Sequence, residues 1–184
     1  MIAPRHTERF DEVARLISES GFAWSRRSSP PQPTDATADV VLLDSIGELR
    51  SVFQLAEIAF IGGSIIPHGG QNILEPAVQG VCVITGAYTQ NFAAVIDALL
   101  AKDALIQLPP LSIVEAAPAL AQAFSELLGD QARRKAISAR AQAVCAASRG
   151  ATERTVAIIA DLVIAHSATG EEVPLPAVHL TAVK

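Results

Sequence analysis

Aromatic residues are scarce in this chain. Only 4% of its 184 residues are Phe, Trp or Tyr, while 50% are hydrophobic. A core short of rings has to be filled by Ala, Val, Ile and Leu. Cysteine is as rare, with Cys82 and Cys145 alone. Two thiols without CxxC spacing provide neither a disulfide framework nor a metal site. Cys82, inside an apolar run, reads as a small buried hydrophobe, and a reducing cytosolic compartment fits. Positive charge is lacking too: 14 Lys and Arg stand against 19 Asp and Glu, for a net charge of -5. That balance argues against bulk attraction to nucleic acid. No basic cluster exceeds Arg26-Arg27 or Arg133-Arg134-Lys135, so a polybasic membrane attachment has little support. No apolar run approaches the roughly 20 residues of a membrane span. The start, MIAPRHTERFDEVARL, has Pro4 and mixed charges where a signal peptide needs an apolar segment. The four His form no HxxxH or HExxH, so no metal is expected. The chain by itself reads as soluble.

What is present is an alternation. Ile2-Ala3-Pro4 reads as the end of a strand. Phe10, Val13, Ala14, Leu16 and Ile17 fall at helical spacing between Glu8 and Ser20, and Gly21 closes that helix. Phe22–Ser25 is a strand candidate. Ser28 to Thr37, with three prolines, is a loop. Val40–Asp44, Ile58–Ile61, Val81–Ile84 and Leu105–Leu108 are solid apolar runs, the signature of strands buried on both faces. Helical stretches reach Ala56, Gln79 and Leu100 between them. Ser112–Leu128, Asp130–Ser148 and Thr152–Ala165 then form a helical C-terminal segment. The chain from Ser167 onward, with Pro174 and Pro176, is expected to be disordered.

Strands alternating with helices predict an α/β fold, a Rossmann-like parallel sheet with helices on both faces. Ligands bind such sheets at the carboxyl ends of the strands. That rule selects Ala3–His6, Asp44–Glu48, Gly62-Gly63-Ser64 and the neighbourhood of Gly86. Arg5, between strand and helix, can grip an anion with two hydrogen bonds; His6 and His68 are weaker candidates, and Asp44 suits a site carboxylate or a helix cap. Gly47 permits close backbone approach, while Glu48 fits a helix start with or without a ligand. Gly62-Gly63-Ser64 is a candidate phosphate turn, although it matches neither GxGxxG, a P-loop nor GxSxG. In GGQNILEPAVQG, Asn72 and Glu75 are three apart and share a face on a helical turn. Pro76 suits a first helical turn and disfavours helical geometry at Glu75, which puts that carboxylate at the helix start. It can accept two ribose hydroxyls there or serve as a cap, and composition does not choose.

The motifs in order are APRH, ERF, RRS, VVLLDSIGEL, AFIGGSI, GGQNILEPA and ITGAYTQNF. In this register, over about Ile2–Thr155, the chain resembles the C-terminal half of 3-deoxy-D-manno-octulosonic acid (Kdo) transferases. The resemblance implies a GT-B glycosyltransferase fold of two Rossmann-like domains, of which residues 1–165 are the nucleotide-sugar donor domain and 166–184 a tail. It implies contacts to CMP from Pro4 and Arg5, from Ile46, Gly47 and Glu48, and from Asn72, Ile73, Leu74 and Glu75. It implies a transferase that moves Kdo from CMP-Kdo to lipid A precursor in lipopolysaccharide biosynthesis at the cytoplasmic face of the inner membrane. CMP-Kdo is then a substrate, and no cofactor is expected. The family's catalytic acidic residue and membrane-associating segment lie in an N-terminal domain expected upstream of Met1, which makes this half inactive alone. The chain departs from the family at Thr7, where Pro is usual, at Gln71, where His is usual, and at Ala87, where Pro is usual. Two alternatives stay open: another GT-B nucleotide-sugar transferase or epimerase domain, and a non-catalytic nucleotide-binding module.

Overall fold

The computed structural model describes residues 1–147 and 156–164. By internal contacts the chain divides into two units, Met1–Val144 and Cys145–Lys184. The second is described only at 145–147 and over 156–164, which is helical. The expectations for 148–155 and for the tail from 165 lie outside the described residues.

In the first unit every strand pairing is parallel. Strands β1 (Trp24–Arg26) and β2 (Val40–Leu42) form one ladder with Trp24 opposite Val40. Ile2 adds an isolated parallel bridge to Leu42, with Ile2 N–H donating to Val41 O and Leu43 N–H donating to Ile2 O. Thus Ile2 does lie on a sheet edge, and Pro4-Arg5 leave from it. Strands β3 (Ile58–Phe60), β4 (Cys82–Thr85) and β5 (Ile106–Gln107) form a second ladder in that order. The hydrogen bonding is split where the apolar runs alone suggest one sheet; β2, β3 and β5 are shorter than their runs, and β4 is displaced by one residue from its own. The central strand β4 is buried at all four positions, as its unbroken apolar run requires.

Helix α1 (Phe10–Glu19) packs Ala14 and Ile17 on Leu42, with Val13, Trp24 and Val40 alongside. Helices α2 (Leu49–Val52) and α3 (Leu74–Val78) are single short turns that follow β2 and β3. Helix α4 (Ala93–Leu100) buries Ile96 and Leu99. The main cluster sets Cys82 and Ile84 of β4 against Ala123 and Leu127 of α5 (Ile113–Gly129) and Ile137 of α6 (Gln131–Ala147). No aromatic residue is fully buried there; Phe60 and Phe124 only border it. Ser112 caps α5 through a reciprocal pair with Glu115, the hydroxyl accepting from Glu115 N–H and the carboxylate from Ser112 N–H. At the other end of α5, Arg134 donates to the carbonyls of Leu127 and Leu128 and pairs with Glu57, satisfying carbonyls that a helix end leaves open.

The two loops at the carboxyl ends of β3 and β4 are locked together. Ser64 is fully buried. Its hydroxyl donates to Ile61 O and accepts from Gly86 N–H at 2.8 Å, and its carbonyl accepts from Tyr88 N–H at 2.9 Å. Gly86 sits so close to the Ser64 backbone that a Cβ there would lie 2.6 Å from the Ser64 carbonyl carbon and nearer still to its oxygen. Only a residue without a side chain permits that approach.

Candidate functional site

The turn after β2 is built around Gly47, whose φ of 88° lies in the left-handed region that glycine tolerates. It delivers Glu48 to the start of α2, half-buried and already engaged. One carboxylate oxygen accepts from the Ser45 hydroxyl, the other from Arg27 Nη2 at 2.8 Å. These bonds, the Ser45 one foremost, hold the Glu48 carboxyl below its ordinary pKa against the opposing effect of burial. Arg26, its neighbour, pairs with Asp44, which is buried at 1% side-chain exposure, and with exposed Asp11 at 2.9 Å. Burial alone would push the Asp44 carboxyl up; Arg26, the Ser28 hydroxyl and the Ser28 N–H together outweigh it and leave it lowered. Asp44 therefore ties β1 to β2 behind the site rather than facing solvent.

Facing this turn is α3. Asn72 Oδ1 accepts from Leu74 N–H at 3.0 Å, and its amide donates to Glu75 Oε1 at 2.9 Å. The shared face expected for these two residues is thus a direct hydrogen bond that orients the carboxylate. Glu75 is the second residue of α3, one place later than the Pro rule suggests. Pro76 follows at the third position, where a helix has no internal use for its N–H. Glu75 remains exposed, with lone pairs to spare for two further donors.

Between α2 and α3 lies a cleft of about 490 Å³ lined by Gly47, Leu49, Arg50, Leu74, Glu75, Val78 and Gln79. Its volume is that of a small-molecule site, as is its mix of apolar walls with a few polar groups. Leu49, Leu74 and Val78 each keep more than a third of their surface exposed along it. Two segments far apart in sequence, the Ile46–Glu48 turn and the Asn72–Glu75 turn, therefore meet on one edge. Arg5 joins them through its guanidinium, which donates to Gln71 Oε1, so the Pro4-Arg5 turn reaches the same loop.

Other candidates sit differently. Ile46 is 77% exposed beside the turn, outside the cleft lining, while Ile73 as a whole residue is 1% exposed and belongs to the core, so it offers a ligand no open surface. Ser64 has no free hydroxyl for a ligand, since both its functions serve the backbone. Gly62 and Gly63 stay exposed or half-buried on the edge. His6 lies 3.6 Å from Glu8, both exposed, and His68 is exposed with its carbonyl taken by Asn91. Among the described residues no group of three or more His, Cys, Asp or Glu could hold a metal ion, and no helix is long and apolar enough to cross a membrane. The sequence reading assigns no site role to Arg27, Arg50 or Gln79, and names Gln71 only as a departure where His is usual. The available signals were the spacing of Gln79 four residues after Glu75, one helical turn on, and the position of Arg50 two residues after Glu48.

No family model matches the chain. Among curated proteins it is 39% identical over 161 residues to the 3-deoxy-D-manno-octulosonic acid transferase of Bordetella pertussis and 35% identical over 159 residues to that of Haemophilus influenzae. These matches cover 88% and 86% of this chain and 36% of each relative, so the chain spans about a third of their length. Among solved structures it is similar to the C-terminal CMP-Kdo binding domain of WaaA from Acinetobacter baumannii. That match has a TM-score of 0.69 and 32% identity, and covers 77% of this chain and 70% of that one. The parallel α/β architecture, the ordered motifs and these likenesses agree: the chain belongs to the 3-deoxy-D-manno-octulosonic acid transferase family, in the region of its C-terminal domain.

Proposed function

We propose that this chain is the donor-binding half of a Kdo transferase and that its cleft holds the CMP part of CMP-Kdo. The observation that carries the reading is the meeting of Gly47 and Glu75 across one cleft, with Asn72 orienting the carboxylate. Glu75 accepts the ribose hydroxyls. Leu49, Leu74 and Val78 supply apolar surface to the base, with exposed Ile46 at the rim. Arg5, exposed and held by Gln71, faces the phosphate, assisted by backbone N–H groups of the Gly62-Gly63 turn. In transfer, the bond between the anomeric carbon of Kdo and the phosphate oxygen breaks as the acceptor hydroxyl attacks. The electron pair goes to the phosphate of CMP, where a fixed cation stabilises the growing charge. Lipid A precursor as acceptor, the general base that takes the hydroxyl proton and any attachment to the inner membrane belong, in this proposal, to the rest of the transferase, so this chain alone binds and does not transfer.

Titration calorimetry with CMP and 2′-deoxy-CMP tests the reading. The native chain should prefer CMP, and Glu75→Gln should weaken CMP by about tenfold to a hundredfold, the range for a hydrogen bond to a charged group. The preference over the deoxy compound should shrink with it. Equal binding of the two nucleotides by the native chain would sink the ribose assignment.

A further inference from the structure

Arg50 is the cation of the cleft. It lines the cavity with Glu75 and Gln79, and among the described residues it makes no ion pair. Its neighbours in the lining are Gly47, three aliphatic side chains, an amide and the Glu75 carboxylate. Arg50 is exposed, so its guanidinium is open to a ligand group that accepts hydrogen bonds.

The position of Glu75 says which group. Gln71, in contact with Arg5, precedes Asn72 and Glu75 in the chain, and neither Arg5 nor Gln71 lines the cleft. Val78 and Gln79 lie on the far side of Glu75, with Gln79 about 6 Å further along the axis of α3 at 1.5 Å per residue. A ribose held at Glu75 then has two directions open to it. Its 5′-phosphate points toward Arg5, and its base points into the cleft toward Arg50 and Gln79.

We propose that Arg50 reads the edge of the base and selects cytosine over uracil; this rests on the donor reading above. Guanidinium groups donate and never accept. Cytosine offers two adjacent acceptors, O2 and N3, which match the guanidinium fork as O6 and N7 of guanine do. Uracil carries a hydrogen on N3, which sets donor against donor and denies the Arg50 fork its second acceptor. The Gln79 amide, rotatable to present its oxygen, can accept from the exocyclic amine that only cytosine has.

The test is calorimetric binding of CMP and UMP to the native chain, Arg50→Met, Arg50→Lys and Glu75→Gln, with thermal melts to verify folding. The native chain should bind CMP at least about tenfold tighter than UMP, in line with the discrimination of a good bidentate pair. Arg50→Met should lose about that factor for CMP, leave UMP nearly unchanged and bring the ratio close to one. Arg50→Lys keeps the charge without the fork and should also lose most of the selectivity. Equal losses for CMP and UMP in Arg50→Met would make Arg50 a phosphate contact and overturn the proposal. Full selectivity in Arg50→Lys or Arg50→Met would overturn it as well. If the native chain binds CMP and Glu75→Gln weakens it while Arg50→Met changes nothing, only the base assignment fails. If neither nucleotide binds, the donor reading fails with it.

Discussion

Replacing Gly86 with Ala should damage the fold more than any glycine substitution in the open turn nearby. A Cβ at Gly86 would sit 2.6 Å from the Ser64 carbonyl carbon and 2.9 Å from Ile65 N, where ordinary contacts begin at 3.4 Å. The Ser64 carbonyl oxygen is nearer still, so backbone would have to move by about 1 Å. That shift strains two hydrogen bonds, Gly86 N–H to Ser64 Oγ and Tyr88 N–H to Ser64 O. Overpacking costs about 1–3 kcal/mol and each lost hydrogen bond about 1 kcal/mol, so the total is about 3–5 kcal/mol. For a chain of this size that lowers the melting temperature by about 6–20 °C. Gly62→Ala is the matched control: it lies in the β3 loop that Gly86 packs against, meets nothing within 4 Å and has no left-handed φ. It should shift stability by no more than about 0.5 kcal/mol. Melts of the two variants beside the native chain decide the matter. If Gly86→Ala and Gly62→Ala melt together, the contact between the β3 and β4 loops is not rigid, and the reasoning about Ser64 is wrong.

Against the opposing effect of burial, Arg26 and Ser28 hold the Asp44 carboxyl below its ordinary value. A lowered folded pKa means stability that is fully present above the unfolded value and drains away as pH falls through the folded one. Urea midpoints should therefore drop on acidification below about pH 4, and Asp44→Asn should lose stability at neutral pH and show a flatter acid limb; a variant with the native acid limb would remove Asp44 as its cause. Leu127, 1% exposed in the main cluster, should cost about 2–5 kcal/mol as Leu127→Ala, read from urea denaturation, and a smaller loss would mean that α5 closes on the cavity.

The apolar runs already carried most of the fold. Val81–Ile84 needs cover on both faces, and β4 has it at every position. Even Ile2, one residue from the start, was legible as a strand end, because its pattern is local. The α5 cap was written in Ser112 and Glu115 for the same reason. Strand limits were less legible: the runs at β2, β3 and β5 are longer than their strands, since burial continues into residues that no longer pair, and β4 starts one residue later than its run. The division into two ladders depends on which backbones come within hydrogen-bonding reach, and side-chain pattern does not encode that.

The site divides along the same line. Sequence alone determined that Asn72 and Glu75 share a turn, because three residues of helix bring them together whatever the rest of the chain does. It also supplies the ordered motifs that resemble the family. Only the tertiary structure decided that Glu48 is already bound by Arg27, that Ser64 of an apparent phosphate turn is a buried clasp on Gly86, and that Arg50 and Glu75 line one cleft. Those partners lie 21, 22 and 25 positions apart. Beyond a helical turn, spacing carries no geometric information; proximity there is created by packing strands and helices around a shared core.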